Sequence, residues 1–250
     1  MDGLLLKRFA NMNIRLILGA NGGFSQPPMD CQLRVSLTNL LTNRQERTIW
    51  RWESGPRGRQ DHMGSHINVH GYGKLSIADD AGAPLLVVYG GINVDGVASG
   101  VYMWKYMKPI EDQFHIFVAV NNVVDGDKSY HSLLQIVKEH KLTPPNQILY
   151  LFSGGYGPGM PLLRDDGAKR FSAIYLVDIW MGIGKTHGSV PNFYKALAST
   201  IPEKITYIYT EGGSTNPSAR DHIASQVAPR SQLVPGTHMS TNIEAVKRLQ

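Results

Sequence analysis

Two five-residue runs, Leu85-Leu-Val-Val-Tyr89 and Ala173-Ile-Tyr-Leu-Val177, contain no charged side chain and constrain the fold more than any other feature of the chain. A strand with one face in water alternates apolar and polar residues, whereas a strand covered on both faces has no reason to. Both runs belong to an alternation that begins near residue 80. Strand-like segments at Pro84-Tyr89, Phe114-Val120, Gln147-Phe152, Ser172-Val177, Lys204-Thr210 and Ser231-Val234 are separated by helix-like segments near Ser99-Met107, Tyr130-His140, Pro161-Lys169, Val190-Ser199, Pro217-Val227 and Thr241-Leu249. A mostly parallel central sheet flanked by helices buries such strands completely, which places the chain in the α/β class.

Before residue 80 the pattern is shorter. Segments Ile14-Leu18, Leu33-Leu37, Thr48-Trp52, Ile67-His70 and Lys74-Ile77 are spaced by Gly, Asn, Pro and Asp, the pattern of an N-terminal antiparallel β portion. With 42% hydrophobic residues over 250 positions the chain can bury a sizeable core, and no repeat or low-complexity linker divides it. A single domain over residues 1–250 is expected, with 1–12 as an extension and 182–200 as a cap segment.

Cys31 is the single cysteine, so no disulfide forms within the chain and a reducing, cytoplasmic setting is favoured. The apolar runs Leu4-Leu6 and Leu16-Leu18 are broken by Lys7, Arg8, Asn11, Asn13 and Arg15 into pieces too short for a signal segment. No stretch approaches the roughly 18 apolar residues of a membrane span. The net charge of +5 is spread without a run of four basic residues or an aromatic-basic motif, which argues against a nucleic-acid partner. A small-molecule or acyl substrate is the expected partner, and oligomeric state stays open.

In α/β sheets function gathers beyond the carboxyl ends of the strands. The run Gln147-Ile-Leu-Tyr-Leu-Phe152 stops at Ser153-Gly154-Gly155-Tyr156-Gly157, and a helix-forming segment follows. A strand that ends at a serine and turns through glycines into a helix is the setting of a nucleophile elbow, where the sharp turn exposes the hydroxyl and the helix N-terminus stabilises negative charge.

On these residues the stretch from about 80 to 250 resembles the α/β-hydrolase superfamily. Its G-x-S-x-G motif falls on Leu151-Phe152-Ser153-Gly154-Gly155, so Gly155 is kept and the bulkier Leu151 replaces the first glycine. Pro158 and Pro161 are expected to make the next helix start late or irregularly. The resemblance implies Ser153 as nucleophile and an oxyanion loop at Gly90, Gly91 and Ile92, with backbone N–H groups near Gly91, Ile92 and Gly154 as donors. It implies His238, in Leu233-Val-Pro-Gly-Thr-His238, as general base. The acid is open: Asp178, ending one strand, is favoured over Glu211, ending the next, with Asp221 third. Trp180 is expected to face the same opening as Ser153. The reaction class implied is serine hydrolysis of an ester, thioester or amide through an acyl-enzyme; the alternatives are a non-catalytic hydrolase-like binding or scaffold protein and an acyltransferase using the same residues.

Other patterns carry less. Gly182-Ile-Gly184-Lys185-Thr186 ends like a phosphate-binding loop, yet Ile179 stands where that motif needs its first glycine. Gly155-Tyr-Gly157-Pro-Gly159 lacks the dinucleotide spacing, and Pro158 removes an N–H that a pyrophosphate would use. His62, His66 and His70 recur every four residues, but the strand-like Ile67-Asn-Val between them sets them about 13 Å apart. No cofactor and no metal are expected. Trp50, Trp52 and Trp104 are read as core or core-edge packing.

Overall fold

The apolar run that ends at Tyr89 is the strand β6 (Leu85–Tyr89), buried along its whole length, in a computed structural model that describes residues 12–17, 32–39, 44–51, 66–91, 99–120, 125–180, 189–213 and 216–250. The chain divides into two units, Met1–His62 and Met63–Gln250. In the first, β1 (Met12–Ile17), β2 (Gln32–Asn39) and β3 (Arg44–Arg51) form an antiparallel sheet in that order, with Ile14 opposite Leu37 and Val35 opposite Thr48.

The second unit holds an eight-stranded sheet. Its strands are β4 (Ile67–Val69), β5 (Gly73–Ser76), β6, β7 (His115–Ala119), β8 (Gln147–Phe152), β9 (Ala173–Val177), β10 (Ile205–Tyr209) and β11 (Ser231–Leu233), in the order β11-β10-β9-β8-β6-β7-β5-β4. All pairs from β7 to β11 are parallel, and β5 runs antiparallel to both β7 and β4. The expected N-terminal β portion is thus split, because β4 and β5 extend the large sheet while β1 to β3 pair among themselves.

Among the described residues six helices flank this sheet: α1 (Ser99–Met107), α2 (Gly126–Glu139), α3 (Tyr156–Leu163), α4 (Ser189–Thr200), α5 (Pro217–Gln226) and α6 (Thr241–Lys247). The period-two direction of strand side chains sorts the core into two layers. Leu85, Val87 and Tyr89 face one side with Leu149 and Leu151, under Leu133 of α2, Leu162 of α3, Tyr194 of α4 and Ile223 of α5. Leu86 and Val88 face the other with Tyr150 and Phe152, under Met103 and Met107 of α1 and Val246 of α6.

Of the segment 182–200, residues 182–188 lie outside the described residues, as do Cys31 and residues 1–11, while α4 packs Val190, Tyr194 and Ala198 into the sheet core. No helix among the described residues is long and apolar enough to cross a membrane.

Two helix starts differ from expectation. Helix α2 begins at Gly126 rather than near Tyr130, because the Asp125 side chain accepts the Lys128 N–H at 3.1 Å and caps it early. Helix α3 does not start late. It follows directly on a single 3-10 turn, Ser153–Gly155, since Pro158 sits in its first turn, where a missing N–H costs no helical bond. The chain then leaves α3 at Leu163 and makes a further 3-10 turn, Gly167–Arg170, where helix was expected to continue.

The entry to β6 hangs on a buried histidine. His115 Nδ1 accepts the Ala78 N–H at 3.2 Å, which leaves the proton on Nε2 to donate to the Ala81 carbonyl, also at 3.2 Å. Removing the ring strands an amide donor inside the protein, so His115→Ala is expected to lower unfolding free energy by about 1–3 kcal/mol in urea titration. His115→Phe restores volume but not the bonds. If it recovers wild-type stability, packing rather than hydrogen bonding is what the ring supplies.

Candidate active site

From β6 the chain passes to β7 on one side, whereas β8 lies on the other side of β6. Loops leaving the carboxyl ends of β6 and β8 therefore diverge and open a crevice, the place where α/β sheets bind ligands. Gly90 and Gly91 leave β6 there, and Ser153 leaves β8.

Ser153 is buried with φ of +51°. Five described non-glycine residues have positive φ; His70, Lys141 and Asp165 are exposed, and only Ser153 and Asp178 are buried. Such a conformation costs on the order of 1–3 kcal/mol and persists where the surroundings impose it. Here Gly155 imposes it. A Cβ at Gly155 would strike the Tyr89 carbonyl oxygen and stand 3.2 Å from that of Gly90, so the turn after β8 is pressed against the end of β6. Gly91 closes the other side, where a Cβ would lie 2.8 Å from Ser153 Cβ and 3.0 Å from its Oγ.

Leu151, the residue that departs from the family motif, points to the helix-covered face and has its room supplied from elsewhere. A Cβ on Gly159, in the middle of α3, would collide with Leu151 Cδ1 and come within 2.8 Å of Cδ2. The room that the Leu151 side chain occupies is thus left by a glycine on the facing helix.

Asp178 directly follows β9 with φ of +39° and is fully buried. Its N–H donates to the Ile208 carbonyl at 2.7 Å, and its Oδ2 receives a hydrogen bond from His238 Nδ1 at 2.6 Å. A carboxylate this deep is tolerated only with partners. With Nδ1 as donor, Nε2 of the neutral ring is left as an acceptor. Gly213 lets the next loop close over the pair: a Cβ there would fall on the Asp178 carboxylate, 2.6 Å from Cγ.

The His238 turn is held from three directions. Thr241 Oγ1 donates to the His238 carbonyl at 2.6 Å, and Thr210 Oγ1 donates to the Gly236 carbonyl at 2.9 Å. Asn242 Nδ2 donates to the Met239 carbonyl while its Oδ1 accepts from Tyr150 at 2.7 Å. Burial pushes the Tyr150 phenol well above its ordinary value, so it serves as that donor. Because Tyr150 lies on β8, the strand that carries Ser153 also steadies the histidine loop. The imidazole stacks on Phe152 with ring centroids 4.6 Å apart, and the Tyr102 ring meets Phe152 edge-on at 6.4 Å. Among the described residues the Ser153 hydroxyl makes no hydrogen bond; Phe152 brings Ser153 and His238 to one wall without a direct bond between them.

The Gly91 N–H donates to Tyr102 Oη at 3.1 Å, and Gly154 is buried in the 3-10 turn. Ile92 lies outside the described residues. The Trp180 N–H donates to the Ser153 carbonyl at 3.0 Å, tying the ends of β8 and β9, and its ring leans on Tyr156 at 5.9 Å. Glu211 is exposed and lines a cleft of about 500 Å³ with Thr210, Leu233, Val234 and Pro235. Asp221 is exposed on α5 and pairs with Arg220.

Gly182 to Thr186, His62 and Trp52 lie outside the described residues. His66 stacks on Trp104 at 4.3 Å, and His70 is exposed in the turn after β4. Tyr102 and Gly213 are not singled out by any sequence pattern, and Phe152 and Gly159 stand in the patterns quoted above without a role of their own. The one pointer was the dense glycine run 154–159, which contains Gly159.

No family model matches the chain, and no curated protein matches it in sequence. Solved structures do resemble it. A soluble variant of monoglyceride lipase from Saccharomyces cerevisiae gives a TM-score of 0.51 at 8% identity, over 78% of this chain and 95% of the lipase. The esterase domain of a Rhodothermus marinus protein gives 0.49 at 7% identity, over 71% and 89%, and Est1E from Butyrivibrio proteoclasticus gives 0.48 at 12% identity, over 74% and 96%. The lipase likeness, with the eight-stranded and mostly parallel sheet, shows that the chain has the α/β-hydrolase fold.

The Leu151 and Gly159 contact yields a sign test. In a helix interior Gly→Ala ordinarily stabilises by about 1 kcal/mol, whereas overpacking a core costs roughly 1–3 kcal/mol. The atoms met are the tip of the Leu151 side chain, and because that side chain is wholly buried in a close-packed core its tip has little space to move into, so Gly159→Ala is expected to destabilise. In a Leu151→Ala background the same change is expected to stabilise, and a double-mutant cycle by thermal unfolding should give coupling above about 1 kcal/mol. Additive effects would show that the two residues do not share the space.

Proposed function

We propose that the protein is a serine hydrolase that cleaves an ester, thioester or amide through an acyl-enzyme on Ser153. One observation carries this reading: a histidine bonded at 2.6 Å to a buried carboxylate is stacked on the residue that precedes a buried serine held at positive φ. Backbone strain of this kind gathers at functional sites, and the α/β-hydrolase fold supports an acyl-bond hydrolase.

Asp178 holds the imidazole with its proton on Nδ1, so Nε2 is the basic atom. As Ser153 Oγ bonds to the carbonyl carbon, its proton passes to His238 Nε2 and the carbonyl electron pair moves onto oxygen, opposite the Gly154 N–H. Collapse of the adduct expels the alcohol, thiol or amine, which leaves with that proton. Water repeats the sequence on the acyl-enzyme, releasing the acid and returning the proton to Ser153. An alcohol or amine in place of water would give acyl transfer from the same intermediate. A non-catalytic binding role is the second reading, favoured by a Ser153 hydroxyl that makes no hydrogen bond among the described residues.

A fluorophosphonate probe decides between them. Labelling of the folded protein, lost in Ser153→Ala, is expected, with fluoride leaving as Oγ bonds to phosphorus. Absence of labelling favours the binding role. Asp178→Asn is expected to slow turnover of an activated ester by about 10³–10⁴-fold, whereas Glu211→Gln changes it little. Equal losses from the two variants would remove Asp178 from its assigned part.

A further inference from the structure

The backbone donor expected from the loop after β6 is already engaged. An N–H carries one proton, and that of Gly91 is directed at Tyr102 Oη at 3.1 Å. The phenol oxygen uses a lone pair there and keeps its own proton to give. Among the described residues nothing accepts that proton.

The position of Oη matters as much as its capacity. The point where a Cβ on Gly91 would lie is 3.0 Å from Ser153 Oγ and 3.2 Å from Tyr102 Oη, so the nucleophile and the phenol border one small volume across an absent side chain. A carbonyl oxygen polarised by attack of Oγ develops its charge beside that volume. The ring is fixed rather than pendant: it packs edge-on against buried Phe152 and belongs to α1, anchored by fully buried Met103 and Met107. Accepting the Gly91 N–H also polarises the O–H and strengthens it as a donor.

We propose that Tyr102 is a catalytic residue of this site, its phenol donating a hydrogen bond to the oxyanion in place of the Gly91 backbone N–H, which instead orients and polarises the phenol. The proton is shared in that hydrogen bond and is not transferred, so no bond to Tyr102 forms or breaks. Burial pushes this phenol up to about 12, which keeps it protonated across neutral and mildly alkaline conditions. The inference rests on the serine-hydrolase reading above, because it needs an oxyanion generated at Ser153.

The test uses the whole chain and reads the second-order rate of fluorophosphonate labelling at Ser153, whose phosphoryl oxygen occupies the oxyanion position whatever the natural substrate. Tyr102→Phe removes one oxygen atom and is expected to slow labelling by about 100-fold, with an unfolding midpoint close to wild type. Labelling by Tyr102→Phe at the wild-type rate or faster overturns the proposal and makes the phenol a placeholder for the substrate oxygen, while the serine-hydrolase reading stands. No Ser153-dependent labelling of wild type overturns both. Should Tyr102→Phe fail to fold, replacing Tyr102 with 3-fluorotyrosine keeps the shape and makes the phenol more acidic. A labelling rate altered by that change supports the direct donor, and an unaltered rate overturns it.

Discussion

The turn that follows β8 is the constraint on which the site depends. The chain must leave a strand that is buried from Leu149 onward, reverse into α3 within three residues, and do so against the carbonyl end of the neighbouring strand. Only a glycine at 155 clears the Tyr89 oxygen, and with Gly155 in place Ser153 is left to absorb the change of direction at positive φ. The strain is small beside the burial on either side of it. Leu149, Leu151, Tyr150 and Phe152 are all almost wholly removed from water, and full burial of each such side chain contributes about 1.5–3 kcal/mol. The strand cannot slip to relieve the serine without exposing residues whose burial outweighs the relief.

The same strand organises what surrounds the serine. Phe152 offers one ring to His238 and to Tyr102, and Tyr150, one pleat earlier on the same face, reaches the asparagine that shapes the histidine turn. Asp178 arrives from β9 at the matching strain, and the backbone bond from Trp180 to Ser153 locks the two strand ends in step. Ser153, His238 and Asp178 thus come from three distant parts of the chain, yet their relative positions pass through few intermediates. Those intermediates are rings, backbone amides and absent side chains rather than long flexible groups.

Much of this architecture is legible in the sequence because burial on both faces leaves a strong trace. The six residues Gln147–Phe152 and the apolar runs at Leu85 and Ala173 announce their strands by lacking polar alternation. Local chemistry that competes with propensity is harder to see. Pro158 and Pro161 suggest a delayed helix, but a proline in a first turn is harmless, so α3 forms early and ends early. Asp178 and Glu211 both follow strands, and local spacing alone does not say which one meets His238; in three dimensions the turn that carries both Glu211 and Gly213 presses Gly213 on Asp178 and leaves the Glu211 side chain exposed. Tyr102 is invisible for the same reason. Its significance comes from an amide eleven residues away and a serine fifty-one residues away, and no spacing rule joins them.

Leu151 and Gly159 show what a sequence motif measures. Where two elements cross, the fold restricts the summed volume of the facing side chains and is indifferent to which element carries the larger one. A pattern written for a single strand registers only one of the two positions, so a chain that moves the bulk to the strand and the gap to the helix satisfies the geometry while failing the pattern. The constraint at this crossing therefore belongs to the pair Leu151 and Gly159, and only a description that spans both positions states it.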